Sequence, residues 1–397
     1  MKKILTICLL AIASVVLSAQ EKDWVASWAP ALQVAEPHNC PPEPFLEGNS
    51  LRQIIQLSTG GDQFRIRLSN IFNEDETQIV SVEVAKALTM GESPEIDKKT
   101  VHKVLFNGSK AVTMKAGESI ISDVLDFPVS DRENLAVTIR FGKVSSTCIT
   151  SHPGSRTSSY IATGKKPDFS KAVRTDHWYI LSGVDVRARE FSRLVCVIGD
   201  SITDGRGTTT NGQNRWTDVL SRRLLMNPTT QNVAVVNKGL GGNNIVRGGL
   251  GPAAQTRFGR DIFEEPGVRY VILFEGVNDI GTSFDPLKTV SEIIRIYKDV
   301  IEDIHSRGLK VFGATVMPFE GNGYFTAEKE AARQALNAWI RNYKGFDGLI
   351  DFDAVMRDPQ NPQRLREKYL FENDWLHVNA QGYFDMGSSI DLKLFED

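Results

Sequence analysis

Ser201, Asp374 and His377 are the residues of this chain whose types and spacing could perform nucleophilic chemistry on an ester. Ester hydrolysis near neutral pH needs an activated hydroxyl, a base to take its proton, and donors for the oxyanion that forms. Ser201 closes the segment LVCVIGDS, an apolar run followed by Gly199 and Asp200. That pattern reads as a buried strand entering a turn, which places the hydroxyl at the strand's C-terminal end, where α/β sheets present their chemistry. Most serines are capping or solvated residues, so the company Ser201 keeps downstream is what singles it out. The base should titrate near neutrality, which points to a histidine. Six exist: His38, His102, His152, His177, His305 and His377. His305 falls near the end of a helical stretch, and His38, His102 and His177 lie far in sequence from any other candidate group. His377 alone has a carboxylate three residues before it. That spacing lets Asp374 accept from Nδ1–H and leaves Nε2 for the serine.

Two further residues could serve the oxyanion. Gly242, in GLGGN (239–243), can bring a backbone N–H close to a ligand because it has no Cβ. Asn278, in GVND (276–279), can aim a neutral donor at developing charge. Gly239 and Gly241 crowd beside Gly242, so a turn with positive φ explains this block equally well from the residues alone. Asp200 and Asp279 read as loop braces. No cofactor is implied. The spacing of the remaining His, Cys and Asp residues offers no metal set, and no Gly-Lys-Ser/Thr follows the glycines to make a phosphate loop.

The four blocks GDS, GLGGN, GVND and DWLH, in this order, resemble the SGNH (GDSL-type) hydrolase superfamily over residues 191–397. The resemblance implies a Ser201–His377–Asp374 triad, with an oxyanion hole made by the Ser201 N–H, the Gly242 N–H and the Asn278 side chain. Upstream, WVASWAP (24–30), LRQIIQLS (51–58) and SHPGSR (151–156) look like the N-terminal part of a secreted, two-domain, xylan-esterase-like branch. Within SHPGSR, His152 and Arg156 are either a structural turn, the preferred reading, or residues reaching across to the cleft.

The elements that must position these groups fall into two regimes. From residue 20 to 190, short alternating segments (51–58, 64–72, 80–88, 100–108, 119–127 and 135–142) predict an all-β sandwich of jelly-roll type. The first two flank Thr-Gly-Gly-Asp-Gln and predict a hairpin. From 191 to 397, near-continuous apolar strands at 193–198, 232–236, 269–274, 310–316 and 348–352 alternate with amphipathic stretches at 214–225, 286–308 and 327–343. Such alternation predicts a three-layer, flavodoxin-like domain around a parallel sheet. The loop after 310–316 should line the cleft mouth, and the aromatics Phe319, Tyr324 and Trp375 are either a sugar platform or ordinary core and rim packing.

The 397-residue chain is long enough for two cores. Its net charge of −3, with Lys and Arg scattered, argues against nucleic acid and anionic membranes as partners. Lys2, Lys3 and the apolar run Ile4–Leu17 read as a cleavable signal peptide, residues 1–19, so the expectation is a secreted or periplasmic protein with no stable membrane insertion. In an oxidising compartment Cys40 and Cys148, both in polar loops, are a candidate disulfide, while Cys196 lies within an apolar strand. With export, the resemblance implies a serine esterase acting on small acyl esters, acetyl foremost, of a polysaccharide such as xylan. The alternatives are a lipase or lysophospholipase-type acylhydrolase and a carbohydrate-binding protein with an inactive hydrolase domain.

Overall fold

Alternation governs the first half of the chain. In Gly61–Ser69 the side chains of Phe64, Ile66 and Leu68 are buried while Arg65 and Arg67 keep partial access, the period of a half-buried strand. The structure, a computed structural model, describes residues 24–188 and 192–396; the expected signal peptide lies outside them. Antiparallel strands of the N-terminal region form two main sheets. One runs Trp24–Trp28, Leu181–Arg187, Gly61–Ser69, Ser119–Ile121, with Leu125–Val129 also on Gly61–Ser69. The other is ordered Val173–Thr175, Ser159–Ala162, Ser50–Gln56, Asn134–Phe141, Thr77–Lys86, His102–Val104. A three-stranded sheet joins Trp178–Tyr179, Thr150–His152 and Gln33–Val34.

The expected hairpin across 51–58 and 64–72 does not form. Ser50–Gln56 pairs with Asn134–Phe141 and Ser159–Ala162, whereas Gly61–Ser69 pairs in the other sheet. The intervening segment is a crossover: Gly60 N–H donates to Asp131 Oδ1 at 2.6 Å, and a Cβ on Gly60 would lie 2.4 Å from the Val129 carbonyl. Ser50–Gln56 is buried along nearly its whole length as an inner strand of its sheet, while Gly61–Ser69 buries Phe64, Ile66 and Leu68 from the other sheet, so the two meet across a core instead of pairing edge to edge.

From Arg193 onward the strands read as apolar runs and are parallel. The order Val233–Gly239, Arg193–Gly199, Val268–Phe274, Lys310–Ala314, Gly348–Ile350 is the doubly wound order 2-1-3-4-5. Because crossovers are right-handed, the reversal beside Arg193–Gly199 sends the Trp216–Met226 helix to one face of the sheet and Pro286–Ser306 to the other. Trp216–Met226 packs on Ala380–Ser389, and Pro286–Ser306 on Ala327–Asn342. No helix among the described residues is long and apolar enough to cross a membrane.

The two regions share buried charges. Glu265 accepts from Lys238 Nζ at 2.6 Å and from the Arg67 guanidinium at 2.6 Å, and Arg67 also faces Asp185 at 3.1 Å. Burial pushes the Glu265 carboxyl up, but Arg67 and Lys238 outweigh it and hold the group below its ordinary range. Cys40 and Cys148, the candidate bridge, stand here as separate thiols, with Cys148 close enough to raise the Cys40 thiol further after burial. Their sulfurs face different carbonyls, Thr147 at 3.5 Å for Cys40 and Phe72 at 3.2 Å for Cys148. Cys196 is fully buried, as its strand implied.

Candidate active site

The Arg193–Gly199 strand carries the serine to the sheet's C-terminal edge, at the point where strand order reverses. Asp200 caps the next turn, its Oδ1 accepting from Ile202 N–H at 2.8 Å, so Ser201 opens the one-turn helix Ser201–Asp204. Gly205, at φ 100°, closes it. The neighbouring strand end packs tightly behind: a Cβ on Gly239 would lie 2.3 Å from the Asp204 nitrogen.

Asp374 and His377 come from the irregular stretch before the last helix. Glu372, Asn373 and Trp375 all take positive φ there, a costly backbone for non-glycine residues that surrounding contacts must hold. Asp374 Oδ1 accepts from the backbone N–H groups of Leu376 and His377 at 2.9 and 2.8 Å. Its Oδ2 stands 2.6 Å from His377 Nδ1, and His377 Nε2 stands 2.8 Å from Ser201 Oγ. The three groups named from sequence thus form a continuous relay, although Ser201 and His377 are 176 residues apart. Burial pushes the Asp374 carboxyl up, but the His377 ring bond and the two backbone donors outweigh it, so its pKa is lowered. The carboxylate therefore stays ionised and can hold Nδ1–H, leaving the Nε2 lone pair for the serine proton.

Asn278 sits in the first turn of Val277–Thr282, after Gly276 at φ 121°. Its Nδ2 donates to the Asn243 carbonyl at 2.9 Å, tying it to the glycine block. Of the three crowded glycines only Gly242 is left-handed, at φ 64°. Asp279 braces the following loop, accepting from the N–H groups of Ile245 and Val246 at 2.9 Å each.

The SHPGSR segment does more than turn. His152 Nε2 lies 3.0 Å from Asp204 Oδ1, and the Arg156 guanidinium 3.6 Å from Asp204 Oδ2. His152 Nδ1 is held by the Ala31 carbonyl at 2.8 Å, and Arg215 links the Asp204 and Ser155 carbonyls at 2.8 and 2.5 Å. The β region therefore clamps the helix that begins with Ser201. The presence of Asp204 three residues after the serine was the available signal, but its partner's position was not legible. Among the three aromatic candidates, Phe319 is fully buried and offers no platform. Trp375 is covered by Gly321, whose added Cβ would meet its ring at 2.6 Å, and by the Arg364 guanidinium 4.7 Å from the ring centre. Tyr324, the third candidate, uses its hydroxyl within the protein, donating to Asn278 Oδ1 at 3.2 Å.

A GDSL-like lipase from Bacteroides thetaiotaomicron is similar at 19% identity, covering 51% of this chain and 87% of that one, with a TM-score of 0.36. An acetyl xylan esterase is similar at 21% identity over 49% of this chain and 96% of its own, with a TM-score of 0.37. A member of the lipolytic G-D-S-L family from Veillonella parvula shows 15% identity over 50% of this chain and 96% of its own, with a TM-score of 0.35. A search of curated proteins found none that matches the chain. Residues 197–383 match the profile of the GDSL-like Lipase/Acylhydrolase family, and this segment, which carries Ser201, Asn278, Asp374 and His377, is a GDSL-like lipase/acylhydrolase domain.

Proposed function

We propose that the protein is an exported serine esterase that removes small acyl groups, acetyl foremost, from a polysaccharide such as xylan. The observation that carries this is the relay from Asp374 Oδ2 through His377 to Ser201 Oγ, at 2.6 and 2.8 Å. Ser201 Oγ attacks the ester carbonyl while His377 Nε2 takes its proton. The tetrahedral oxyanion is received by the Ser201 N–H, the Gly242 N–H and the Asn278 amide. Collapse expels the sugar hydroxyl, protonated by His377, and leaves an acetyl-serine. Water, deprotonated by His377, then attacks that ester and frees acetate and Ser201. Residues 20–190 and 191–397 act as two domains, the first steadying the second through Asp204.

The leaving group is inferred from the surroundings. A cleft of about 410 Å³ is lined by Asn244, Arg247, Asp279, Thr282, Asp285 and Lys288, of which Asn244 and Asp279 lie close in the chain to the proposed oxyanion donors. Polar walls suit a sugar, and a long alkyl chain left unburied forgoes about 0.8 kcal/mol per CH₂. Rates should therefore fall from p-nitrophenyl acetate to butyrate to octanoate, with acetate released from acetylated xylan and none from a Ser201→Ala variant. A second reading, a lipase or lysophospholipase-type acylhydrolase, draws on the exposed apolar side chains of Phe284, which lines that cleft, and of Leu250 and Leu287. Preference for octanoyl or longer esters, with no acetate from any acetylated glycan, would replace the first reading by the second.

A further inference from the structure

We propose that Tyr324 is a positioning residue: by donating to Asn278 Oδ1 it locks the Asn278 amide with its nitrogen turned to the oxyanion. The inference rests on the proposed role of Asn278 as an oxyanion donor and deepens it.

The amide's orientation follows from its neighbours. The Asn243 carbonyl can only accept, so the amide atom 2.9 Å from it is Nδ2. The other amide atom is then Oδ1, and it accepts the Tyr324 hydroxyl at 3.2 Å. An amide nitrogen carries two hydrogens; one is spent on Asn243, and the second remains for the oxyanion. Turning the amide over would set Oδ1 against the Asn243 carbonyl, two acceptors face to face, and leave the phenol accepting from Nδ2 instead of donating. It would also aim a carbonyl where negative charge develops.

Tyr324 is itself held. A Cβ on Gly281 would lie 2.1 Å from the phenol ring, so the ring packs flush on that glycine and cannot offer this face to a sugar. Its backbone N–H donates to Asn322 Oδ1 at 2.9 Å, and Asn322 Nδ2 donates to the Asp374 carbonyl at 2.6 Å. One short segment after the Lys310–Ala314 strand thereby fastens both the amide and the loop carrying the carboxylate. Burial, with the Asp200 charge adding to it, raises the Tyr324 hydroxyl, which keeps it a protonated donor at working pH.

A double-mutant cycle with p-nitrophenyl acetate tests this. Tyr324→Phe keeps the ring and its packing and removes only the hydroxyl. Its kcat should fall roughly tenfold with KM unchanged, the effect of one hydrogen bond, and less than the hundredfold or more expected for Asn278→Ala. In the Asn278→Ala background the same substitution should have no further effect on kcat, because the group through which it acts is gone. Equal losses in both backgrounds would overturn the proposal, as would a full kcat in Tyr324→Phe alongside a crippled Asn278→Ala. A rise in KM for acetylated xylan with kcat intact would return Tyr324 to a substrate-contact role and also overturn it. Full activity in Asn278→Ala would remove the donor role of Asn278 and this inference together.

Discussion

Asp374→Asn should cost about four orders of magnitude in kcat without unfolding the protein. The magnitude follows from which oxygen does what. Asp374 Oδ1 is committed to two backbone donors, Leu376 N–H at 2.9 Å and His377 N–H at 2.8 Å. An asparagine must place its carbonyl oxygen there, because an NH₂ group cannot accept. Its NH₂ then occupies the Oδ2 position, 2.6 Å from His377 Nδ1 in the wild type. Only the tautomer with a bare Nδ1 satisfies that arrangement, and its proton sits on Nε2, pointing at Ser201 Oγ 2.8 Å away. The imidazole can no longer take the serine proton. A wrong tautomer in a Ser-His-Asp site costs about 10⁴ in kcat, less than the roughly 10⁶ lost with the nucleophile or base. The assay is p-nitrophenyl acetate turnover beside Ser201→Ala and His377→Ala, with thermal melts to show that each variant folds. The melts carry a second expectation. The folded pKa of Asp374 is depressed, so its charge adds stability above the unfolded value of about 3.9 and loses that contribution as pH falls through the folded value. The Tm advantage of the wild type over Asp374→Asn should therefore shrink in acid. Full activity in Asp374→Asn would refute the tautomer reasoning and leave a Ser-His dyad.

Two further expectations concern the helix of the nucleophile. A Cβ on Gly154 would lie 1.8 Å from Asp204 Oδ2, on a side chain already faced by His152 and Arg156. Gly154→Ala should cost about 1–3 kcal/mol of stability, and a shift of Ser201 by about 1 Å should lower kcat about a hundredfold; an unchanged kcat would uncouple the β region from the site. Burial, against the Ile202 N–H and with Asp279 and Asp204 adding, raises the Asp200 carboxyl to about 7. A carboxyl raised in the fold makes the protein lose stability as pH climbs from about 4 to about 7. Asp200→Asn can still cap Ile202, so its Tm should gain on the wild type between about pH 4 and about pH 7; a difference constant with pH would rule out the buried charge as its source.

What was legible in the sequence is what local pattern encodes. The run Leu194–Ile198 is apolar without alternation, and a strand covered on both faces is the simplest structure that buries it. The expected helices at 214–225, 286–308 and 327–343 stand as Trp216–Met226, Pro286–Ser306 and Ala327–Asn342 because their apolar spacing repeats every 3.6 residues. Ser201 and Asn278 are the right types just after strand ends, which the parallel sheet brings together, and Asp374 and His377 have the right spacing in the irregular stretch before the last helix. Partners distant in the chain were decided by packing alone. The residue types in 51–58 and 64–72 mark two strands with apolar side chains to bury, but they cannot say which sheet each strand joins; the crossover at Gly60 does. Loop composition made Cys40 and Cys148 candidates for a bridge, whereas the direction of each sulfur depends on the carbonyls around it. The contact of Tyr324 with Asn278 spans 46 residues, and that of His152 with Asp204 joins two regions of different architecture. Such contacts leave no periodic trace, because nothing about either residue's neighbours in sequence changes when its partner in space is set by how whole elements pack.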